Sequence, residues 1–382
     1  MPVLSFKKSS RDVDCLVIEQ ADASSLQSGG IDTIISDFIR YGTDTSFAIV
    51  GGTYDLRQRI GLWTQVEIGG RSVDFLPVFR MGASPRGLRR IPDSLRLALG
   101  VLRFVRRLPE GFVHVHRVEL GALARTLRRD YSQFIHNDSA GLLGPNSDSF
   151  WRRLPRLYRF FERRAIGGAH SVSIFNKTDS ERLKSMRSDV FVTETWFDPA
   201  IFELTSDPAG EALQICWVGR LESQKDPQLA LDTLQELIRL DRNVHLNVVG
   251  DGSLAEELKS YAHKHELSPY VTFHGSVTRA EVGELMGSCA MLLMTSHYEG
   301  SPTVLVEAAA VGLAVVATLG SDPDGVVSPG RTGFINDTRA AKELAESVLM
   351  MRTHSRLDCR ASVEYRSGPL LVKAILDRTL RR

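Results

Sequence analysis

The stretch Tyr298-Glu299-Gly300-Ser301-Pro302-Thr303-Val304-Leu305-Val306-Glu307 sets two carboxylates around a helix start. It follows an apolar run, AMLLMT at 290–295, that reads as a buried strand. Ser301 has the character of an N-cap and Pro302 of a first helical residue, which predicts a helix over Val304–Val311. The free backbone amides of such an end, over Ser301–Thr303, can hold phosphate or the charge that develops on a leaving group. Glu299 falls in the loop ahead of the helix. Glu307 falls inside the apolar run VLVEAAAVGLAVV, where a lone carboxylate is costly to bury. The vicinal hydroxyls of a ribose or hexose are suitable partners for it, and backbone amides are the alternative.

Three more loops follow predicted strands. Val218-Gly219-Arg220-Leu221, with Lys225 shortly after, puts a glycine and two cations at a strand end. Arg offers a fork of donors and Lys a mobile point charge, which suits a diphosphate; solvated surface cations are the alternative. Gly29-Gly30 precedes a helix and lets backbone approach an anion, or else makes a plain turn. Gly250-Asp251-Gly252 reads as a structural turn. Asp322-Pro323-Asp324 has the D-x-D pattern of some metal sites, but no second ligand cluster accompanies it, so no metal is expected. His114 and His116 end a strand facing the same way and read as core or cleft-wall histidines.

Positioning these loops requires alternating strands and helices. In the first half, strands are predicted at Asp14–Glu19, Phe47–Val50, Val73–Val78, Phe112–Val115, Tyr131–His136 and Ser171–Ile174. Helices are predicted at about Ile31–Arg40, Asp93–Arg107 and Trp151–Ile166. The second half repeats the alternation from Leu213, whose run LQICWV reads as a strand buried on both faces. The last segment, Tyr365–Arg382, reads as an amphipathic helix. The pattern is that of doubly wound parallel sheets, whose ligand loops lie at the strand ends. The expected division is 1–205, 206–360 and 361–382, with the boundary in the polar stretch Glu203–Glu211 and the last helix packing back on the first domain.

The 382 residues are enough for two domains, and 43% apolar with 24% charged content is that of globular chains rather than disordered ones. Residues 1–200 hold 29 Lys+Arg against 22 Asp+Glu, whereas the remainder holds 18 against 24. The excess lies between Arg86 and Arg164, so the first half is the one to meet an anionic partner, unless it is only a solvated Arg-rich surface. Aromatics are not interleaved with the basic residues, which argues against nucleic acid. The four cysteines are far apart and read as buried free thiols. The N-terminal MPVLSFKKSSRDVD lacks the apolar core of a signal peptide, and no run of about 18 apolar residues exists to span a bilayer.

Taken together, CWVGRLESQKDP, VVGDGSLAEEL, VTFHGSVTRAEV, HYEGSPTVLVEAAAVGLAVVAT and DGVVSPGRTGF resemble the retaining glycosyltransferases of family GT4. The resemblance is strong over about Leu213–Gly333. It is looser in the first half, where it rests on GGIDTII at Gly29 and FIHND at His136. It implies the GT-B fold, an α/β architecture of two doubly wound Rossmann-like domains facing a central cleft. Arg220 and Lys225 would hold the donor diphosphate, Glu299 the hydroxyls of the transferred sugar, and Glu307 the ribose. Ser301, Pro302 and Thr303 would contact donor sugar and phosphates, with Gly219 at the same strand end. Gly30 would admit phosphate, Val277 would border the base, and His136 would sit near the reacting face of the sugar. In place of the family's Asn-Gly-Val-Asp turn the chain has Thr195-Trp196-Phe197-Asp198, then Phe202 at the usual spacing.

The resemblance implies a hexosyltransferase using a nucleotide-diphosphate sugar as co-substrate, with no cofactor or metal. The acceptor is expected to be a glycan or a lipid-linked one. Localisation is expected to be cytoplasmic, with peripheral contact at an anionic membrane. Arg152, Arg153, Arg156, Arg159, Arg163 and Arg164, with Leu154, Leu157, Tyr158, Phe161 and Ala165 along one side of a helix, would make that contact. A soluble enzyme acting on small molecules or storage glucan, and a non-catalytic sugar-nucleotide-binding protein, are the competing expectations. No G-x-G-x-x-G follows the first strand, which argues against a nicotinamide-dependent oxidoreductase.

Overall fold

A computed structural model of the chain describes residues 12–26, 30–82, 92–136, 139–144, 147, 149–175, 177, 179–206, 208, 212–241 and 243–380. Gly29, Asn137 and Asp138, singled out above, lie outside the described residues, as does the segment 1–11. The chain divides into two compact units. The first comprises 1–136, 149–193 and 371–382; the second comprises 137–148 and 194–370.

In the first unit the strands are β1 (Cys15–Ile18), β2 (Phe47–Thr53), β3 (Thr64–Ile68), β4 (Arg71–Arg80), β5 (Phe112–Val115), β6 (Tyr131–Ile135), β7 (Ser171–Ile174) and β8 (Val190–Val192). Among the described residues they form one sheet in the order β3-β4-β2-β1-β5-β6-β7-β8. Every pairing is parallel except β3 with β4. β3 adds to the expected strands. Its TQVEI alternates buried Thr64, Val66 and Ile68 with exposed Gln65 and Glu67. Gly69 and Gly70, at φ +58° and +79°, turn it into β4, conformations that glycine adopts without steric cost. The order reverses between β1 and β5, so the loops after these strands flank a switch point, the usual place for a ligand in an open α/β sheet.

In the second unit the strands are β9 (Leu213–Val218), β10 (Val244–Val249), β11 (Val271–Gly275), β12 (Met291–Met294), β13 (Ala314–Thr318) and β14 (Gly333–Asn336), in the parallel order β11-β10-β9-β12-β13-β14. The switch point here lies between β9 and β12. Ile215, Cys216 and Trp217 of β9 are buried, as a strand covered on both faces requires. Cores built on Leu213, Ile215, Leu234 and Met291 on one side, and on Leu292, Leu305, Ala309 and Val311 on the other, hold the sheet.

The chain crosses between units at Thr193 and Glu194, earlier than the polar stretch 203–211. The reason is that Glu194 already pairs with Arg366 at 3.0 Å and that Phe197 and Phe202 are fully buried in the second core. The turn there forms without Asn-Gly: the buried Asp198 carboxylate accepts from the Ala200 amide at 2.9 Å, and the Phe202 amide donates to Asp198 O. The last helix runs Gly368–Thr379, and Leu371 onward belongs to the first unit. Its Val372, Ile375 and Leu376 are buried, and the Ser132 hydroxyl on β6 donates to Thr379 O at 2.9 Å. All four cysteines are free and buried. No described helix is long and apolar enough to cross a membrane.

The helix expected over Trp151–Ile166 begins at Pro155, after a 3-10 turn at Phe150–Arg153, because proline at the first helical position sets its start. Its buried face carries Tyr158, Glu162, Ala165 and Ile166, with Glu162 ion-paired to Arg182 at 2.7 Å. Leu154, Leu157 and Phe160 are exposed instead, which corrects the single apolar side read from the sequence.

Candidate functional site

At the switch point of the second sheet, the loop after β9 meets the loop after β12. Lys225 Nζ lies 2.6 Å from Glu299 Oε1, and the Ser296 hydroxyl donates to the same oxygen. The Gln224 side-chain amide donates to Tyr298 O at 3.1 Å, and the His297 amide donates to Gln224 O at 2.9 Å. The carboxylate and the ammonium are mostly buried, so this pair is much less screened than a surface one. Arg220 remains exposed, with one 3.4 Å bond to Gln224, and keeps its fork available for an anion.

Other residues hold this arrangement in place. Asp226 caps the helix Pro227–Leu240 from φ +47°, a conformation that costs a non-glycine residue about 1–3 kcal/mol. Two partners hold it there. The Thr295 hydroxyl donates to Lys225 O and Asp226 O at 3.0 and 2.8 Å while accepting from Trp217 Nε1 at 2.9 Å. Arg339 donates to Ser296 O at 3.0 Å, to Thr295 O at 2.6 Å and to the Asp226 carboxylate. Arg339 was not among the expected site residues; a cation ahead of the next helix carries no sequence mark of its long-range partners. Tyr298 was passed over as well. Its ring covers Gly141, where an added Cβ would stand 2.6 Å from Cδ2.

The glycines divide by role. Gly250, at φ +131°, lies so close to Gly219 that a Cβ would come within 1.9 Å of Gly219 O. The Leu221 amide donates to Asp251 O and the Leu254 amide to Leu221 O, both at 3.0 Å, so the turn Gly250-Asp251-Gly252 braces the loop that carries Arg220. At Gly219 an added Cβ would meet Trp217 Cη2 at 3.4 Å and Lys225 Cδ at 3.7 Å, both ordinary contacts, so this position tolerates a side chain that Gly250 does not.

The helix after Glu299 runs Thr303–Val311 and starts one residue from the expected place. Pro302 is its N-cap rather than its first residue, and Ser301 is not a cap, because the Ser301 hydroxyl donates to Asp324 Oδ2 at 2.7 Å. The Thr303 and Val304 amides lie ahead of the i→i−4 ladder, as at any helix N-terminus, whereas the Leu305 amide donates to Pro302 O at 3.3 Å. Asp322 accepts from the Val326 and Val327 amides, both at 2.9 Å, so both aspartates of the D-x-D serve loop geometry. Among the described residues no group of three or more His, Cys, Asp or Glu could hold a metal ion.

Glu307 is buried, and its Oε1 accepts from Arg279 Nε and Nη2 at 3.1 and 3.0 Å. Its partner is thus a guanidinium that the sequence reading missed, although Arg279 sits at the start of a helix only two residues beyond Val277. Val277 itself is half-buried against the second core.

In the first unit, Gly30 begins the helix Gly30–Tyr41 at φ +59° with open space where a Cβ would be. Next to the sheet's switch point, the buried Glu19 pairs with Arg117 at 2.6 Å. Burial raises the Glu19 carboxyl above its usual value, and the adjacent guanidinium works against that rise. His136 follows β6 and faces His116, which follows β5, across 2.8 Å. His114 is wholly buried among Phe38, Phe112 and Phe134, and burial pushes it down to about 3.

This fold is shared with solved structures. Sucrose-phosphate synthase from Thermosynechococcus elongatus superposes with a TM-score of 0.74 at 15% identity, covering 95% of this chain and 94% of that one. The Anabaena protein HepE, in complex with UDP and glucose, gives 0.72 at 17% identity over 95% and 98%. The chain therefore has the GT-B fold. Residues 205–358 match the family described as Glycosyl transferases group 1. Glycogen synthase of Mycobacterium tuberculosis is 30% identical over 136 residues, 35% of this chain and 33% of the relative. The D-inositol 3-phosphate glycosyltransferase of an Arthrobacter species is 29% identical over 143 residues, 36% and 34%. The chain thus spans about a third of the length of the curated relatives it matches.

Proposed function

We propose that the protein transfers a hexose from a nucleotide-diphosphate sugar to a polysaccharide or lipid-linked acceptor, with retention at the anomeric carbon. The observation that carries this is the Lys225–Glu299 pair set directly ahead of a helix N-terminus, with Glu307 held by Arg279 further along that helix. Arg220 and Lys225 supply the charge for the diphosphate and need no metal to do so. The first-turn amides add to it as the nucleotide leaves. Glu299 accepts from hydroxyls of the transferred sugar, and Glu307 from the ribose, with Arg279 orienting its carboxylate. With positioning and charge stabilisation supplied in this way, front-face departure and attack needs no nucleophile from the protein. The UDP and glucose held by HepE and the glycosyl transfer named for the inositol phosphate relative favour this class of donor.

The test is a thermal-shift panel of nucleoside diphosphates and their sugars. A ligand at 100 times its dissociation constant stabilises by about 2.7 kcal/mol, so at least one nucleotide should raise the melting temperature clearly. No response across UDP, GDP, ADP and TDP forms would remove the proposal.

The acceptor reading rests on the helix Pro155–Ile166 and the turn before it. Arg152, Arg153, Arg156, Arg159 and Arg163 are exposed there, interleaved with exposed Leu154, Leu157 and Phe160. Cations beside apolar side chains suit an anionic lipid surface, and a lipid-linked acceptor would be met there. The protein is expected to pellet with anionic vesicles at low salt and to be released as salt rises. Failure to pellet at any salt, with transfer to water-soluble acceptors intact, would favour the soluble enzyme.

A further inference from the structure

Two histidines from neighbouring strands meet at the carboxyl edge of the first sheet. His116 Nδ1 and His136 Nε2 are 2.8 Å apart, so one of the two carries the proton between them. Neither ring is free to turn away. Phe134 stacks on His116 with centroids 4.8 Å apart, and Phe175 stacks on His136 at 4.6 Å. His116 is 4% exposed, whereas His136 is only half-buried. Burial holds both rings neutral: His136 is pushed down to about 3 and His116 falls well below its ordinary value, and the nearby Arg117 adds to both shifts. His114 and Arg117 are the other titratable or charged groups acting on the pair.

The remaining nitrogen of His116 decides the direction. Its Nε2 is buried with no hydrogen-bond partner among the described residues. If His136 were the donor, His116 would have to carry its proton on that orphaned nitrogen, and a buried N–H without an acceptor is the rarer arrangement in folded proteins. We infer that His116 is a positioning residue, whose Nδ1–H donates to His136 Nε2 and so fixes His136 as the Nδ1–H tautomer. His136 then offers a fixed hydrogen-bond donor to an incoming oxygen and does not act as a base. Its use toward a sugar hydroxyl rests on the transferase reading; the tautomer does not.

The test is side-chain 15N NMR of the full chain labelled at histidine, with His136→Gln for assignment, combined with transfer rates. In the wild type, His136 should show a protonated Nδ1 and a bare Nε2. His116→Phe keeps the stacking on Phe134 and removes the donor; His136 should shift toward the Nε2–H form, and kcat should fall at least tenfold with the donor KM unchanged. His116→Asn, whose amide N–H can stand where Nδ1–H stood, should recover most of both. A wild-type His136 protonated on Nε2 overturns the inference, and so does a His116→Phe protein whose His136 tautomer or rate is unaltered. If His116→Phe does not fold, the wild-type spectrum alone decides the tautomer. If no nucleotide sugar is turned over by any form, the transferase reading fails while the tautomer is still measured.

Discussion

Replacing Lys225 by alanine is expected to lower kcat/KM for transfer by about a hundredfold to a thousandfold, the effect of removing one preorganised group that stabilises developing charge. The same change should reduce stability by about 3 kcal/mol, because it strands a buried carboxylate. Glu299 would keep the Ser296 hydroxyl as its partner but lose the ammonium at 2.6 Å. The double variant K225A/E299A should regain most of that stability and none of the activity, since the orphaned charge has gone along with the donor contacts. Calorimetric melting and initial rates read the two effects separately. A K225A protein of normal rate would end the claim that this pair handles the donor.

Gly250→Ala and Gly219→Ala should behave in opposite ways although the two glycines are in contact. At Gly250 the new Cβ would stand 1.9 Å from Gly219 O, on a backbone at φ +131°. The conformational strain alone costs about 1–3 kcal/mol, and the clash forces the loop carrying Arg220 to move. The melting temperature should fall markedly and donor affinity with it. At Gly219 the nearest atom is Trp217 Cη2 at 3.4 Å, an ordinary contact, so the fold should stay within about 0.5 kcal/mol of the wild type. If donor backbone or phosphate approaches this strand end, G219A should nevertheless raise the donor KM severalfold. Equal melting temperatures for the two variants would contradict the bracing role of Gly250. An unchanged KM in G219A would remove Gly219 from the donor site.

Much of this was legible in the sequence where local chemistry decides the outcome. The run LQICWV gave a central strand, and the E-x7-E stretch gave a loop followed by a helix within one residue of its true start. What escaped has identifiable physical reasons. β3 is five residues long with an alternating pattern, and the Gly69-Gly70 turn beside it was the signal that could have revealed it. Ser301 was misread as a cap because its hydroxyl is claimed by Asp324, a partner from a different loop. Arg279 and Arg339 were missed for the same reason: a surface-looking arginine becomes a site residue only when the fold brings Glu307 or Asp226 to it. Spacing within one loop can be read from sequence, but the pairing of loops distant in the chain cannot.

The return of the final helix also has a consequence for how the molecule is made. The first unit takes its last piece from 371–382, after the whole of the second unit's main segment has been passed. Until then the Ser132 hydroxyl lacks its Thr379 acceptor, and Leu376 is missing from its place against Gly42. On the ribosome, therefore, the earlier half cannot mature before the later one, although domains usually complete in the order of synthesis. Closure at such long sequence separation is slow, and the nascent first unit is left with an uncovered apolar seam for the longest part of elongation. Chaperone dependence and sensitivity to proteolysis during synthesis should centre on that seam.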